Sequence, residues 1–263
     1  MTARGPQPTA ESVTVVIPVK DDADGLGRCL RALALQTRRP DEIVVVDNGS
    51  SDDSAGVARE SGARVISCVQ PGIPAAAAAG YDSAKGDLIL RLDADCIPAA
   101  TWVEVMSTQA RARPEVDVFA GAARFVDGPR FLRSPLAVAY LGAYAAVLTP
   151  TLGHLPLFGS NLAMRRSAWR RVSATVHRGD PEMHDDLDLS FHLGKEHRIR
   201  FVPSAAMGIS MRPFASASAF RRRVRRGIRT VVRHWPEEFA PIRWARSARR
   251  RAVRRRSALK ASS

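Results

Sequence analysis

Over the first 115 residues, apolar runs alternate with helical segments, and this alternation constrains the fold more than any other feature of the chain. VTVVIPV (13–19), EIVVVD (42–47), ARVISCV (63–69) and GDLILRL (86–92) read as buried strands. Between the first two, Asp24–Leu35 places Leu26, Leu30, Leu33 and Ala34 at helical spacing, and Pro40 stops it. Ser51-Asp52-Asp53 can cap a second helix ending near Glu60. An alanine-rich helix over about 74–84 and another over Thr101–Ala112 complete the series. Strands and helices in this order imply βαβ units and a mostly parallel sheet.

In open α/β sheets ligands lie beyond the carboxyl ends of the strands. Asp47 sits at one such end, and Asp93 and Asp95 follow another in GDLILRLDADC (86–96). Carboxylates are costly to bury unless a cation offsets the loss of water, and hard divalent ions prefer oxygen ligands. The plainer alternative is a polar strand end entering a solvated loop.

Beyond residue 115 the alternation weakens. VDVFAGAARF (116–125) reads as a strand, and GSNLAMRRSAW (159–169) as a short strand leading to a helix capped by Ser167. HDDLDLSFHLGKEHRIRFVP (184–203) reads as an acidic turn, a helix with Leu187, Phe191 and Leu193 inward, a stop at Gly194, and a strand over Arg198–Val202. LAVAYLGAYAAVL (136–148) lies between Pro135 and Pro150. It falls short of the roughly 18 apolar residues of a membrane span, so it is expected to be a core or acceptor-site helix, with a membrane-surface element as the alternative.

Charge divides the chain. Residues 212–263 hold 17 of the 40 Lys and Arg but 2 of the 26 acids, so the tail carries +15 and the remainder is close to neutral. In FRRRVRRGIRTVVRHW (220–235), Phe220, Val224, Ile228, Val231 and Val232 form one apolar face on a cationic helix. Such helices bind anionic membrane surfaces. The alternatives are a helix packed on the body with its basic face in water, and nucleic acid, which is disfavoured by thin aromatic interleaving and the lack of a reading motif. Cys29, Cys68 and Cys96 suggest no disulfide framework or zinc spacing, which suits a reducing cytosol. The polar opening, MTARGPQPTAES, reads as a disordered lead and not a signal peptide.

The acidic groups at Asp47, Asp93/Asp95 and Asp185/Asp186 share one explanation, transfer of a sugar from a nucleotide diphosphate. A carboxylate-bound divalent ion neutralises the departing diphosphate, and a carboxylate base activates the acceptor hydroxyl. Together and in this order, VTVVIPVKDDADGLGRCLRALALQT, DEIVVVDNGSSDDS, GDLILRLDADC, GSNLAMRRSAW and HDDLDLSFHL resemble the family 2 glycosyltransferases, from about Val13 to Pro203.

The resemblance implies a GT-A fold over 12–211, with a nucleotide-sugar half (12–115) and an acceptor half (116–211), flanked by the lead (1–11) and a basic helical tail (212–263). It implies that Asp47 bonds the nucleotide base and that Pro18 and Val19 line its pocket. Asp93 and Asp95 form the D-x-D pair holding Mg²⁺ or Mn²⁺, with Asp95 the more direct ligand. Asp186 becomes the base of an inverting displacement, with the shorter Asp185 beside it, and Ser160 and Asn161 join the acceptor and donor pocket.

Each has a plainer reading: Asp47 as a turn residue, Asp186 as an acid favoured by a helix N-terminus, Asp188 as structural, His184 as a hydrogen-bonding partner and Cys96 as packing. Two departures stand out. Ala77 and Ala78 occupy places where the family often has Arg-Asn, and Asp185 replaces a Glu. The expected protein is a peripheral enzyme at the cytoplasmic face of a membrane, acting on a lipid-linked or cell-envelope acceptor. A non-catalytic scaffold of the same fold and a nucleotidyltransferase are the alternatives; the acidic KDDADGLGR loop disfavours the second.

Overall fold

The computed structural model describes residues 11–214 and 216–249. The expected disordered lead, apart from Glu11, and the last part of the basic run lie outside the described residues.

Eight strands form one sheet in the order β3-β2-β1-β4-β7-β6-β8-β5. They are β1 (Val13–Val19), β2 (Glu42–Asp47), β3 (Arg64–Ser67), β4 (Leu88–Arg91), β5 (Ile97–Pro98), β6 (Val118–Phe125), β7 (Leu162–Arg165) and β8 (Ile199–Ile209). The expected βαβ block, β3-β2-β1-β4, is parallel throughout. Antiparallel pairs enter only through β7 and β5, while β6 and β8 pair in parallel. The helices include α1 (Ala23–Ala34), α2 (Ser54–Glu60), α3 (Ile73–Ser83), α4 (Trp102–Ala112), α5 (Arg133–Leu152), α6 (Arg166–Val172), α7 (Asp185–Leu193) and α8 (Ala217–Arg233).

The twofold period of β1 sorts its side chains between two cores. Val13, Val15, Ile17 and Val19 pack with Leu26, Leu30, Trp102 and Met106, whereas Val16 packs with the alanines of α3, Tyr81 and Trp169. Each fully buried Val or Ile contributes about 1.5–3 kcal/mol. The small residues of α3 bring it close to the sheet: a Cβ on Gly80 would lie 2.3 Å from Val16 and 2.9 Å from Val46. Ala77 and Ala78 are buried in the same seam and pack α3 tightly against the sheet.

The strand expected over Arg198–Val202 runs on past Pro203 to Ile209. It bulges on the way: Gly121 pairs with Val202, Ala122 with Ala206, and pairing continues to Ile209. A bulge is where a strand tolerates proline, and this one turns the Ala205 carbonyl toward Asn161. Within the expected Ser51-Asp52-Asp53 cap of α2, Asp52 accepts the Ser54 N–H at 3.0 Å. Ser167, expected to cap a helix, lies inside α6, whose cap position is Arg165.

The apolar stretch 136–148 belongs to a 20-residue helix, α5, that includes both flanking prolines. Pro135 sits in its first turn, where the missing N–H costs little, and Pro150 in its last. Only Ala137, Leu148 and Leu152 are buried, while Val138 and Val147 are 68% and 70% exposed. The expectation of a core helix is therefore corrected: much of α5 is an uncovered apolar surface, and the helix is long and apolar enough to cross a membrane.

The packed-helix reading of the tail is corrected in its orientation. α8 turns Arg223, Arg226, Thr230 and Val231 toward the body, while Phe220, Val224, Ile228 and Val232 stay exposed. It docks through its polar face because Glu182 and Asp180 wait there for Arg226 and Arg229.

Candidate active site

Arg91 organises the site. It ends the apolar strand β4, and its side chain is only 3% exposed. A buried guanidinium needs partners, and it pairs with Asp93 at 2.8 Å and Asp185 at 3.0 Å. One cation thus joins the carboxylates after β4 to those opening α7. The guanidinium passes over Gly159, where a Cβ would lie 1.3 Å from Nη1. A larger residue at 159 would force the guanidinium out of this position.

The Gly159-Ser160 turn ties the two acidic groups together. The Gly159 N–H donates to Asp186 Oδ2 at 2.9 Å, and the Ser160 hydroxyl donates to Asp93 Oδ2. Asp186 Oδ1 lies 2.5 Å from His184 Nδ1 and accepts from the Tyr144 hydroxyl at 3.4 Å. Asp185, Asp186 and Asp188 occupy the first turn of α7, where the helix dipole favours negative charge. Arg91, Asp93, Ser160, Asp185 and Asp186 line a cavity of about 240 Å³ together with Arg222, Arg223 and Arg226.

The adjacent acids of α7 diverge in proton affinity. Burial pushes Asp185 above the usual carboxylate range, with the Asp186 charge adding to it and Arg91 opposing. Burial would raise Asp186 too, but His184 and the Gly159 N–H outweigh it and hold that carboxyl well below its ordinary value. Burial raises Tyr144 strongly, so it remains an O–H donor.

Asp95 is raised by burial and then by the neighbouring Asp93 charge. Arg212 answers it, with Nη2 at 2.9 Å, while also reaching Asp22. A guanidinium therefore stands in for positive charge at the D-x-D pair. Asp93 and Asp95 can bring oxygens to one ion, with Cys96 nearby, and this hard-oxygen pair fits Mg²⁺ or Mn²⁺. Burial pushes the Cys96 thiol well up, which keeps it protonated and apart from a hard cation.

The other expected residues divide. Asp47 lies at the end of β2, beside β1, with Oδ1 accepting the Ser50 N–H at 3.0 Å and so starting a turn. Two strand spacings, about 10 Å, separate β2 from β4. Pro18 and Val19 are buried in β1, so they shape the wall at the strand end without offering polar side chains. Ser160 faces the cavity. Asn161 is corrected: it is fully buried, its amide donates to Ala122 and Ala205, and its oxygen accepts from Trp102. It has no group left for an acceptor and acts by fixing the turn that carries Ser160.

Sequence reasoning missed Arg91, Gly159, Tyr144, Arg212 and the arginines of α8. Arg91 had a signal, a lone charge inside an apolar strand. The others come together only through tertiary folding.

The sequence pattern described as Glycosyl transferase family 2 matches residues 14–172. Glycosyltransferase AglE of Haloferax volcanii is 35% identical over 104 residues, covering 36% of this chain and 34% of that protein. The undecaprenyl-phosphate 4-deoxy-4-formamido-L-arabinose transferase of Edwardsiella ictaluri is 40% identical over 97 residues, covering 33% and 30%. These alignments span about a third of the curated relatives. Among solved structures, glucosyl-3-phosphoglycerate synthase of Mycobacterium tuberculosis with UDP superposes with a TM-score of 0.60 at 21% identity, over 88% of this chain and 86% of that one. Its complex with Mn²⁺, UDP-glucose and phosphoglyceric acid gives 0.59 at 22% identity, over 84% and 79%. The likeness confirms the GT-A architecture.

Proposed function

We propose that this chain, which belongs to glycosyl transferase family 2 and is a transferase by that membership, moves a sugar from a nucleotide-diphosphate sugar to an acceptor with inversion at the anomeric carbon. The observation that carries the reading is the convergence on one cavity of Asp93 with Asp185 and Asp186, linked through Arg91. A scaffold that only kept the fold would have no need of three buried or half-buried carboxylates facing one opening.

Asp47, Pro18 and Val19 would hold the nucleoside end at β1 and β2, and Asp93 and Asp95 the divalent ion. That ion, when bound, supplies charge neutralisation of the leaving diphosphate. Arg91 and Ser160 fix Asp93, so the ligand oxygens are placed in advance. Asp186, anchored by Gly159 and His184, would take the acceptor proton, and Asp185 is kept beside it by Arg91. The solved neighbour that holds Mn²⁺ and UDP-glucose makes a UDP-sugar the first donor to test.

The cavity wall of Arg222, Arg223 and Arg226 favours an acceptor that carries phosphate. A lipid-linked acceptor fits the relatives named for undecaprenyl phosphate. It also fits the exposed apolar residues of α5 and α8, which would rest on an anionic membrane, at its cytoplasmic face, through residues 220–256. The test is sugar release and transfer from UDP-, GDP- and dTDP-sugars, with Mn²⁺ or Mg²⁺ and a polyprenyl-phosphate acceptor. Metal-dependent turnover that disappears in Asp186→Asn supports the reading. Full activity in that variant removes Asp186 as the base.

A further inference from the structure

One and two turns along α7 from the cavity-lining Asp185, three histidines surround Asp188. His177 comes from the loop after α6, Asp188 and His192 from α7, and His234 from the turn that ends α8. Asp188, His192 and His234 are 3%, 6% and 6% exposed. No step of the proposed reaction uses them.

Their hydrogen bonds fix where the imidazole protons lie. His234 Nδ1 is 2.8 Å from the Thr230 carbonyl, which can only accept, so Nδ1 carries the hydrogen. His192 Nδ1 is 3.1 Å from Thr175 Oγ1. The single hydroxyl hydrogen of Thr175 is already donated to the Val172 carbonyl at 2.9 Å, so His192 Nδ1 is also the donor. In neutral rings both Nε2 atoms then present bare lone pairs. They point at each other across 3.4 Å and at Asp188 Oδ1 across 3.5 and 3.3 Å. Three acceptors converging in a buried space repel unless a positive charge stands among them.

The spacing identifies the charge. Four-coordinate Zn²⁺ holds nitrogen and oxygen at about 2.0–2.2 Å, which puts neighbouring ligand atoms about 3.3–3.5 Å apart. The three separations match that edge length. His177 Nδ1 lies 2.7 Å from the same Asp188 oxygen, a hydrogen-bond distance shorter than that edge, so it must draw back to complete the set of four side chains able to meet at one ion. Imidazoles with one carboxylate suit zinc among the common divalent ions. The outer Nδ1–H bonds to Thr230 and Thr175 are the support that metal-bound histidines normally have.

We propose that His177, Asp188, His192 and His234 form a structural Zn²⁺ site that clamps the end of the basic helix α8 to α7. The site is distinct from the D-x-D pair and does not rest on the transferase reading. It would hold in register the two helices that line the cavity, α7 through Asp185 and Asp186 and α8 through its arginines.

The test begins with the full chain stripped by a chelator and titrated with Zn²⁺, then with Co²⁺. One Zn²⁺ per chain should bind and raise the unfolding temperature, and Co²⁺ should give the intense visible absorption of a four-coordinate site. Asp93→Asn/Asp95→Asn should keep this metal, whereas His192→Gln/His234→Gln should lose it. Thr175→Val should weaken it about 10–100-fold. A wild-type chain that takes up no Zn²⁺ and gains no stability from it overturns the proposal and leaves a buried imidazolium as the charge. So does a weak six-coordinate Co²⁺ spectrum, or equal binding by the double histidine variant. The wild-type titration decides even if that variant fails to fold.

Discussion

Replacing Arg91 by Met keeps most of the side-chain volume and removes one charge from the centre of the candidate active site. Removing one partner of a buried ion pair costs about 3–5 kcal/mol, because the other charge is left uncompensated. Two partners are affected unequally. The Asp93 side chain is 36% exposed, so water screens it and its share is small. Asp185 is 17% exposed and bears most of the loss, which places the effect near the lower end, about 3 kcal/mol at pH 7. At about 2–4 °C per kcal/mol for a chain of this size, the unfolding temperature should fall by roughly 6–12 °C. The pH sign follows from Asp185. Its folded pKa is already raised by burial, and losing Arg91 raises it further. A carboxyl with a raised folded pKa binds its proton more readily folded than unfolded, so the penalty should shrink as pH falls from 7 toward that raised value. Urea unfolding of the wild type, Arg91→Met, Asp185→Asn and the double variant at pH 7 and 5 measures both effects. A coupling below about 0.5 kcal/mol, or a penalty that does not change with pH, would refute the account of Arg91 as the link between the two acidic groups.

Other outcomes follow from the same contacts. Glu42 accepts from Thr14 at 2.7 Å, from the Lys85 N–H at 3.0 Å and from Arg64 at 2.8 and 3.0 Å. Burial acts to raise its pKa, but these bonds prevail and lower it. Glu42→Gln should cost about 1–3 kcal/mol at pH 7. A lowered folded pKa gives stability above the unfolded value of about 4.3 that is lost as pH falls through the folded value. The variant and wild type should therefore converge in acid, and parallel pH curves would contradict the assignment. Asn161→Leu strands the Trp102 N–H and two carbonyls and should cost about 2–4 kcal/mol in chemical unfolding; a neutral effect would return Asn161 to the list of acceptor contacts. Ile228→Glu/Val232→Glu on the exposed stripe of α8 should abolish pelleting with anionic vesicles at low salt without lowering the unfolding temperature, since both side chains are more than half exposed. Pelleting unchanged from wild type would remove α8 as a membrane contact.

Much of the fold was legible because burial on both faces of a parallel sheet writes continuous apolar runs into the sequence. Val13–Val19 and Leu88–Leu90 are such runs, and Gly86 marks the start of the second. The second half was harder. β8 hides its continuation behind Pro203, and α5 hides its length behind two prolines that sit in its end turns. Within the site, the carboxylates were legible because burying charge is costly and Asp at strand ends is positional. Asn161 was misassigned because a buried amide and a binding amide look alike until its partners in Trp102, Ala122 and Ala205 are known. The periodicity of 220–235 revealed an amphipathic helix but not which face meets the body, since that depends on Glu182 and Asp180, acids forty or so residues away in the chain.

The central claim is that Asp93 and Asp95 hold a divalent ion against the diphosphate of a nucleotide sugar. Its most direct test is calorimetric titration of UDP-, GDP- and dTDP-sugars into the full chain, with and without Mn²⁺, for the wild type and Asp95→Asn. The account predicts that one nucleotide class binds only with the ion present and that the Asp95 variant loses this binding while remaining folded. Equal binding without the ion, or undiminished metal-dependent binding by the Asp95 variant, would contradict it.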